Sequence, residues 1–277
     1  MGVLLAANQL MSATSAVYLY CLVRAARQPS VARVPSGLDG ATRPEPVKAA
    51  ARLWLIAADV PLDIYGPSRL EPRLRDLEWV SQAAVAHERV VEHFARMRGT
   101  TVLPMKLFTM FSSADKAVSD VRARRVSLER AMRHIAGCEE WGIRVTRSVT
   151  ESMPRASRRT SKSTGGFHKG GTAFLVARKE ARDAARAARV EAITAADRAY
   201  ARLRRFARDA RRRERRPEPG LNPPLLEAAF LVTTAARPRF KAEARRQAVA
   251  CASAGAGITL SGPWPAYNFV AAVEDRS

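Results

Sequence analysis

A histidine-rich segment of a predicted helix carries the residue types of a metal site. His87, Glu88, Glu92 and His93 fall within seven residues, and zinc peptidases use two histidines four residues apart on one helix face. Here Val91 stands four residues after His87. His93 lies about 600° further around the helix, so the two imidazoles point to different sides. We therefore interpret His87 as a core histidine on the apolar stripe of the helix, with metal ligation as the alternative.

A glycine-rich segment approaches the pattern of a phosphate-binding loop. GGFHKGGT, residues 165–172, has the two spaced glycines and a following Thr. A P-loop also needs Lys directly after the second glycine to reach the terminal phosphates, and Gly171 stands there instead. No predicted strand leads into the segment. We expect a flexible entry to a long helix and no nucleotide site.

No other constellation suggests catalysis. The sequence contains no GxSxG elbow, no CxxC pair and no convincing pair of acids, so we expect a protein that is not an enzyme and has no catalytic, cofactor or metal residues. The net charge of +21, from 47 Lys+Arg against 26 Asp+Glu, favours anionic partners. The Arg-rich helix could follow phosphates, but its Tyr200 and Phe206 fall on the core stripe. A basic nucleic-acid-binding or scaffold protein that uses this helix stays open as the alternative function.

The cysteines and the N-terminal segment indicate a compartment. Cys21, Cys138 and Cys251 are odd in number, widely spaced and in apolar surroundings, which argues against a disulfide framework and favours the reducing cytoplasm. Residues 2–23 carry no charge, but polar residues interrupt the run and leave too short a stretch to cross a bilayer. Residues 1–15 are expected to be an extension outside the fold, and Met11 could be the true start.

The first half of the chain predicts alternating strands and helices. Apolar runs at 16–23 and 53–58 read as strands around a long loop at 25–48, the first of them buried on both faces. One amphipathic helix is expected over 70–97, with the stripe Leu77, Val80, Ala84, His87, Val91 and Phe94. A strand over 101–111 contains Pro104, which requires an edge or a bulge. A second helix, with Val118, Val121, Leu128, Met132 and Ile135 inward, precedes a strand at 141–145.

The elements together predict an α+β protein of two domains. A ferredoxin-like domain at 16–150 would place both helices on one face of one sheet. A flexible linker at 151–172, rich in Ser, Thr, Gly and basic residues, would follow. A helix-rich α+β domain at 173–277 would begin with a long basic helix over 173–216 whose stripe is Val190, Ile193, Tyr200, Leu203 and Phe206. A strand at 225–234, a helix at 238–251 and a strand from 255 to 261 complete it.

The run LSGPWPAYNF, residues 260–269, closes the predicted fold. Its prolines stiffen the chain, and its three aromatic residues supply burial. Rigid aromatic-proline runs more often hold domains together than bind ligands. We expect a structural clasp that docks the tail between the two domains.

Six segments in order give the chain a resemblance to the gas vesicle protein GvpF/GvpL family. They are YLYCLV at 18–23, HERVV at 87–91, VLPMKLFTMF at 102–111, GCEEWGIRV at 137–145, GGTAFL at 170–175 and LSGPWPAYNF at 260–269. The resemblance covers nearly the whole chain, and its last segment is the most specific. It singles out as structural or interaction positions His87, Glu88, Pro104, Lys106, Glu140, Gly142, Gly262, Pro263, Trp264, Pro265, Tyr267 and Phe269.

The resemblance implies a non-enzymatic accessory protein that assists nucleation or assembly of the gas vesicle shell. It implies a cytoplasmic, gas-vesicle-associated protein whose partners are the shell subunit and other accessory proteins. We expect no small-molecule substrate and no membrane span, and we do not favour nucleic acid as a partner. The chain departs from the family pattern after Leu-Pro, where Arg and then Phe-Gly-Thr usually follow: Lys106 replaces the Arg, and Leu107, Phe108 and Thr109 replace the rest. Lys keeps the charge but loses the planar fork that binds carboxylates.

Overall fold

Two β-sheets organise the chain, each in its own compact unit. The structure is a computed structural model and describes residues 14–148, 170–213 and 223–270. Unit 1 comprises the chain up to Glu140 together with the segment that begins at Pro263, and unit 2 is Trp141–Gly262. These bounds differ from the division at 151–172 expected from the sequence, most of which lies outside the described residues. The α+β class expected from the sequence is confirmed.

The sheet of unit 1 is antiparallel and centred on β1. Its strands run in the order β2-β3-β1-β4, and β5 also pairs with β1. Every residue from Tyr18 to Val23 is fully buried, as expected for a strand covered on both faces. The strands are β1 Ser15–Arg24, β2 Glu45–Ala50, β3 Leu53–Pro61, β4 Thr101–Pro104 and β5 Met110–Phe111.

A β-bulge in β1 places Cys21 and Val23 on the same face as the two tyrosines. The register with β3 shifts between Leu19 and Cys21, so Tyr20 is the extra residue, and Cys21 and Val23 join Tyr18 and Tyr20 in one core cluster. Helix α3, Leu77–Ala95, packs on this cluster through its buried residues, among them Val91. Leu19 and Leu22 are buried outside the cluster, on the opposite face.

The helices of unit 1 therefore lie on both faces of the sheet, and the expectation of two helices on one face is wrong. Helix α4, Ala114–Ala123, contacts β2, and α5, Arg125–Ile135, contacts β4, while none of their buried residues belongs to the cluster under α3. A sheet buried on both faces needs cover on both. Helices α1, Leu62–Tyr65, and α2, Pro67–Arg73, follow β3.

The single helix expected over 70–97 is also wrong. Asp76 caps α3 by accepting hydrogen bonds from the backbone N–H groups of Glu78 and Trp79, so a new helix starts at Leu77. Leu77, placed on the apolar stripe by periodicity, is 82% exposed. The expected strand over 101–111 is likewise interrupted by a turn, and Pro104 closes β4 at the edge of the sheet, as its missing N–H requires.

Unit 2 holds a four-stranded sheet of order β7-β8-β6-β9. Its core joins Trp141, Ile143 and Val145 of β6 to Phe230 and Phe240. The strand expected at 141–145 therefore belongs to this second sheet and not to the first. The elements are β6 Cys138–Arg147, α6 Gly170–Arg204, β7 Asp209–Arg212, β8 Leu226–Thr233, α7 Arg237–Ser253 and β9 Ala256–Trp264.

Helix α6 has two different halves. From Ala192 onward it packs on the sheet through Ala192, Ala196, Ala199 and Leu203, whereas every residue from Phe174 to Glu191 is exposed. The helix ends at Arg204 rather than Arg216, because residues 209–212 form β7 and pair with β8. Val190, expected on the core stripe, is 58% exposed.

The chain returns to unit 1 after β9. The short helix α8, Tyr267–Val270, contacts β4 and α5, and its Phe269 and Val270 are buried. Unit 1 is therefore completed by residues that follow unit 2 in the sequence.

Candidate functional site

His87 is the centre of a buried polar cluster in unit 1. Its side chain is only 3% exposed and its Nδ1 lies 2.7 Å from the hydroxyl of Tyr18. The Tyr18 oxygen also accepts a hydrogen bond from the backbone N–H of Phe108 at 3.3 Å, so its own proton is directed to Nδ1. We assign the neutral tautomer of His87 with the proton on Nε2. The imidazole stacks on the ring of Tyr20 at a centroid distance of 5.6 Å.

Burial fixes the protonation of this cluster. Desolvation lowers the pKa of His87 from 6.5 to about 4, against a smaller raising effect of the Met105 backbone. Desolvation also raises the pKa of Tyr20 to about 12 and that of Tyr18 further, although backbone N–H groups oppose both shifts. The histidine and both phenols are therefore neutral at physiological pH, the state in which Tyr18 donates to His87.

Tyr267 of the C-terminal segment borders the histidine, and two carboxylates act on Tyr267. Tyr267 of α8 has its ring centroid 6.4 Å from that of His87. Burial, and then the charge of Glu88, raise the pKa of the Tyr267 hydroxyl. Glu140, 5% exposed, accepts a 2.8 Å hydrogen bond from the backbone N–H of Asn268 and a second from its side-chain amide. The pKa of Glu88 is raised by burial, then by the charges of Glu92 and Glu140.

The cluster thus unites five of the segments behind the family resemblance. Tyr18 comes from YLYCLV, His87 from HERVV, Phe108 from VLPMKLFTMF, Glu140 from GCEEWGIRV and Tyr267 from LSGPWPAYNF. Their side chains or backbone groups hold one another within unit 1 by hydrogen bonds and ring contacts. The arrangement fixes the C-terminal helix to the first unit.

Phe108 departs from ordinary backbone geometry. Its φ is 63°, in the left-handed region that favours glycine. The glycine in the Phe-Gly-Thr pattern of the resembled family aligns with Phe108. The left-handed backbone conformation explains why glycine suits this position. Here the Phe ring stacks on Trp79 at 5.5 Å with an interplanar angle of 6°.

The cluster offers acid-base groups but no reactive nucleophile poised near neutral pH. His87 is already unprotonated and fully enclosed, and the thiol of Cys21 has a pKa raised by complete burial. Within residues 14–148, 170–213 and 223–270, no group of three His, Cys, Asp or Glu side chains could hold a metal ion. His93 packs edge-on against the ring of Phe94 instead of joining His87. The geometry is that of a structural centre.

The remaining residues of the resemblance lie apart from the cluster. Pro104 is buried opposite Cys21, and Lys106 is exposed in the turn after β4. Gly142 lies in unit 2, where an added Cβ would come within 2.6 Å of the Ser261 hydroxyl. The C-terminal run divides between the units: Gly262 has φ of 119°, Pro263 and Trp264 are exposed, and Pro265 and Phe269 are buried.

Three members of the cluster are not among the predicted site residues. The sequence predicts Tyr18 and Tyr20 only as parts of a strand, and the predicted positions Tyr267 and Phe269 flank Asn268 without including it. A signal existed for the tyrosines, since a phenol in a fully buried strand needs a hydrogen-bond partner. No local signal marks Asn268, whose partner is 128 residues away.

The glycine-rich segment at 165–172 can be placed only in part. Residues 165–169 lie outside the described residues, and Gly170 begins α6. Among the helices that the structure describes, none combines the length and apolar character needed to cross a membrane.

Comparisons with known proteins agree with the resemblance. A family model for gas vesicle synthesis protein GvpL/GvpF matches residues 16–271. Gas vesicle protein L of Streptomyces sp. (strain CB03234) is 26% identical over 281 residues, which span 96% of this chain and 96% of that protein.

Solved structures show a similar fold. The crystal structure of GvpF from Anabaena sp. PCC7120 superposes with a TM-score of 0.60 at 15% identity, over 92% of this chain and 96% of that one. GvpF from Microcystis aeruginosa gives a TM-score of 0.57 at 14% identity, over 92% and 98%.

Proposed function

Since this chain belongs to the GvpL/GvpF family of gas vesicle synthesis proteins, we propose that it assists nucleation and assembly of the gas vesicle shell by binding the shell subunit and other accessory proteins. The observation that carries the proposal is the family match over residues 16–271. It acts as a non-enzymatic accessory protein at the gas vesicle in the cytoplasm.

A protein that holds a self-associating subunit can offer it a free strand edge or an exposed apolar surface. The outermost strands of both sheets are poor templates, because each is short or carries residues that oppose strand addition. These residues are Pro46 and Lys48 in β2, Pro104 in β4, Arg211 and Arg212 in β7, and Pro263 in β9.

The exposed half of α6 supports the second mode. Its first turns carry Phe174, Leu175 and Val176, which are 65%, 63% and 55% exposed. Three consecutive large apolar side chains span about 200° of the helix circumference at this point, since successive residues differ by about 100°. Exposed apolar surface of this kind marks contact sites. We assign the shell subunit to this end of α6.

Co-purification with the shell subunit tests the proposal. The tagged full chain, co-expressed with the shell protein of its source, is expected to retain that protein on affinity resin. A triple variant, Phe174→Ser, Leu175→Ser and Val176→Ser, should lose most of it. The matched control Leu77→Ser, Val126→Ser and Val249→Ser removes three apolar residues elsewhere that are even more exposed, and it should retain the shell protein.

Two results would contradict the proposal. If the unaltered chain neither retains the shell protein nor changes its assembly, the assembly role fails. If it instead binds DNA with a steep salt dependence, the alternative of a basic nucleic-acid-binding protein replaces it. That alternative lacks stacking residues on the packed half of α6: Tyr200 packs on the core, with the Arg212 guanidinium 4.1 Å from its ring centroid.

A further inference from the structure

Helices α6 and α7 enclose a groove on unit 2 that the proposed function does not use. Two adjoining depressions of about 500 and 380 Å³ share Arg198 and Gln247. We call their union the α6–α7 groove. Its lining is completed by Glu191, Thr194, Ala195, Ala201 and Arg202 of α6, Arg205 directly after α6, Ala250 and Ser253 of α7, and Ala254 directly after α7.

Three arginines form one side of the groove. Arg198 and Arg202 are four residues apart on α6, so their side chains leave the helix about 40° apart, and Arg205 follows in the turn directly after the helix. All three are exposed, and none forms a salt bridge among the described residues. Glu243 on α7 is hydrogen-bonded by Arg246 and Gln247, and the positive charge of Arg202 acts on it as well.

The floor of the groove is made of small residues. Ala195 and Ala201 on α6, Ala250 on α7 and Ala254 directly after α7 carry no side chain beyond Cβ, so the backbone of an occupant can approach closely. Small side chains at a contact allow short distances between helix axes. The groove therefore combines small apolar residues with a row of exposed positive charges.

We propose that the α6–α7 groove binds an acidic amphipathic helix of a partner protein. Arg198 and Arg202 are about 6.0 Å apart along α6, the rise of four helical residues, and Arg205 extends the row just beyond the end of the helix. A second helix laid alongside presents carboxylates at the same intervals when Asp or Glu occupy positions three and four residues apart. Each guanidinium then forms a charge-assisted hydrogen bond, and the alanine floor receives the apolar face.

A nucleic acid fits the groove less well. Single strands are bound through base stacking on aromatic side chains as well as through phosphate contacts. No aromatic residue is among those that line the groove. Glu191 lies at the end of the groove furthest from Arg205. Its carboxylate repels a continuous phosphate backbone but not a helix whose acidic face ends before Glu191.

The inference rests on the proposed role as a binding protein in assembly, and it names the chemistry of one partner. A labelled helical peptide tests it directly: alanine on one face, glutamates at positions i, i+3, i+4 and i+7 on the other. Fluorescence anisotropy with the full chain is expected to show saturable binding. A single-stranded DNA of similar charge is expected not to displace the peptide.

Charge reversal separates the groove from the overall positive charge. The variant Arg198→Glu, Arg202→Glu and Arg205→Glu should weaken peptide binding at least tenfold. The control Arg178→Glu, Arg182→Glu and Arg186→Glu makes the same charge change about 30 Å away on the exposed half of α6 and should stay within twofold. All six side chains are exposed, so circular dichroism should show both variants folded.

Three outcomes would overturn the inference: equal losses in both variants, no loss in either, or displacement of the peptide by DNA. The shell-protein pull-down distinguishes its failure from failure of the proposed function. Retention of the shell protein without peptide binding rejects the groove alone. Loss of both interactions in the unaltered chain rejects the assembly role as well.

Discussion

Phe108 is a position where glycine should be tolerated better than alanine. At an ordinary site, glycine is less stable than alanine by about 0.5–1 kcal/mol, because it loses more backbone freedom on folding. At φ of 63°, a residue with a Cβ is instead strained by about 1–2 kcal/mol, and glycine is not. We therefore expect Phe108→Gly to be more stable than Phe108→Ala by roughly 0.5–1 kcal/mol.

Both variants should be less stable than the unaltered chain. Each removes a half-buried ring that stacks on Trp79 at 5.5 Å and lies 6.5 Å from Tyr65, a loss of about 2 kcal/mol. The Phe ring thus offsets the strain of its backbone. This loss is common to the two variants and cancels in their difference, which reports the backbone alone.

Thermal unfolding of four variants measures the effect. Phe108→Gly should melt roughly 2 °C or more above Phe108→Ala, given the usual relation of stability to melting temperature. Leu107 is the control, since it lies in the same turn without positive φ, and Leu107→Gly should melt below Leu107→Ala. The reasoning is refuted if glycine is the less stable choice at both positions.

Three further predictions concern unit 1. Because the pKa of His87 falls from 6.5 unfolded to about 4 folded, its contribution to stability is present above pH 6.5 and is lost as pH falls towards 4, by about 3 kcal/mol. Urea unfolding between pH 4.5 and 7 should show that the free energy of unfolding of His87→Gln changes less with pH than that of the unaltered chain. Equal pH dependence of the two proteins would contradict the assignment. Glu140→Ala removes the carboxylate that accepts two hydrogen bonds from Asn268 and should lower stability by about 2–3 kcal/mol. Hydrogen exchange in residues 267–270 should become faster. Unchanged exchange there would show that α8 is held by other contacts. Arg52→Gly should stabilise the protein by about 1 kcal/mol and so raise its melting temperature, because the exposed Arg52 has φ of 60° in the turn between β2 and β3. A lower melting temperature would argue against strain at this turn.

The strands that could be predicted from sequence carry their own apolar signal. β1 and β8 are short runs of large apolar residues, and both were placed within about a residue. β2 and β7 have no such signal: the sequence predicts a loop over most of EPVKAA and a helix over DARR. Asp209–Arg212 is a strand because it pairs with β8, a tertiary effect that local propensity does not contain.

The candidate site was predictable only in pieces. Periodicity placed His87 correctly in the core, and the resemblance singled out Glu88, Glu140 and Tyr267. These residues lie together only because the chain returns to unit 1 after β9, and no pattern in the sequence specifies that return. The left-handed φ of Phe108 was equally hidden, because Phe is a residue type that rarely adopts it.

The return of the chain to unit 1 also sets an order for folding during synthesis. Unit 2 is one uninterrupted stretch, Trp141–Gly262, and all of it leaves the ribosome before α8 does. Glu140 must wait for a partner 128 residues downstream, roughly 6–25 s at usual rates of translation. Unit 2 can therefore complete its core while unit 1 is still open at the cluster around His87. A nascent chain stalled after Gly262 would display that opening, and release of the last segment would close it.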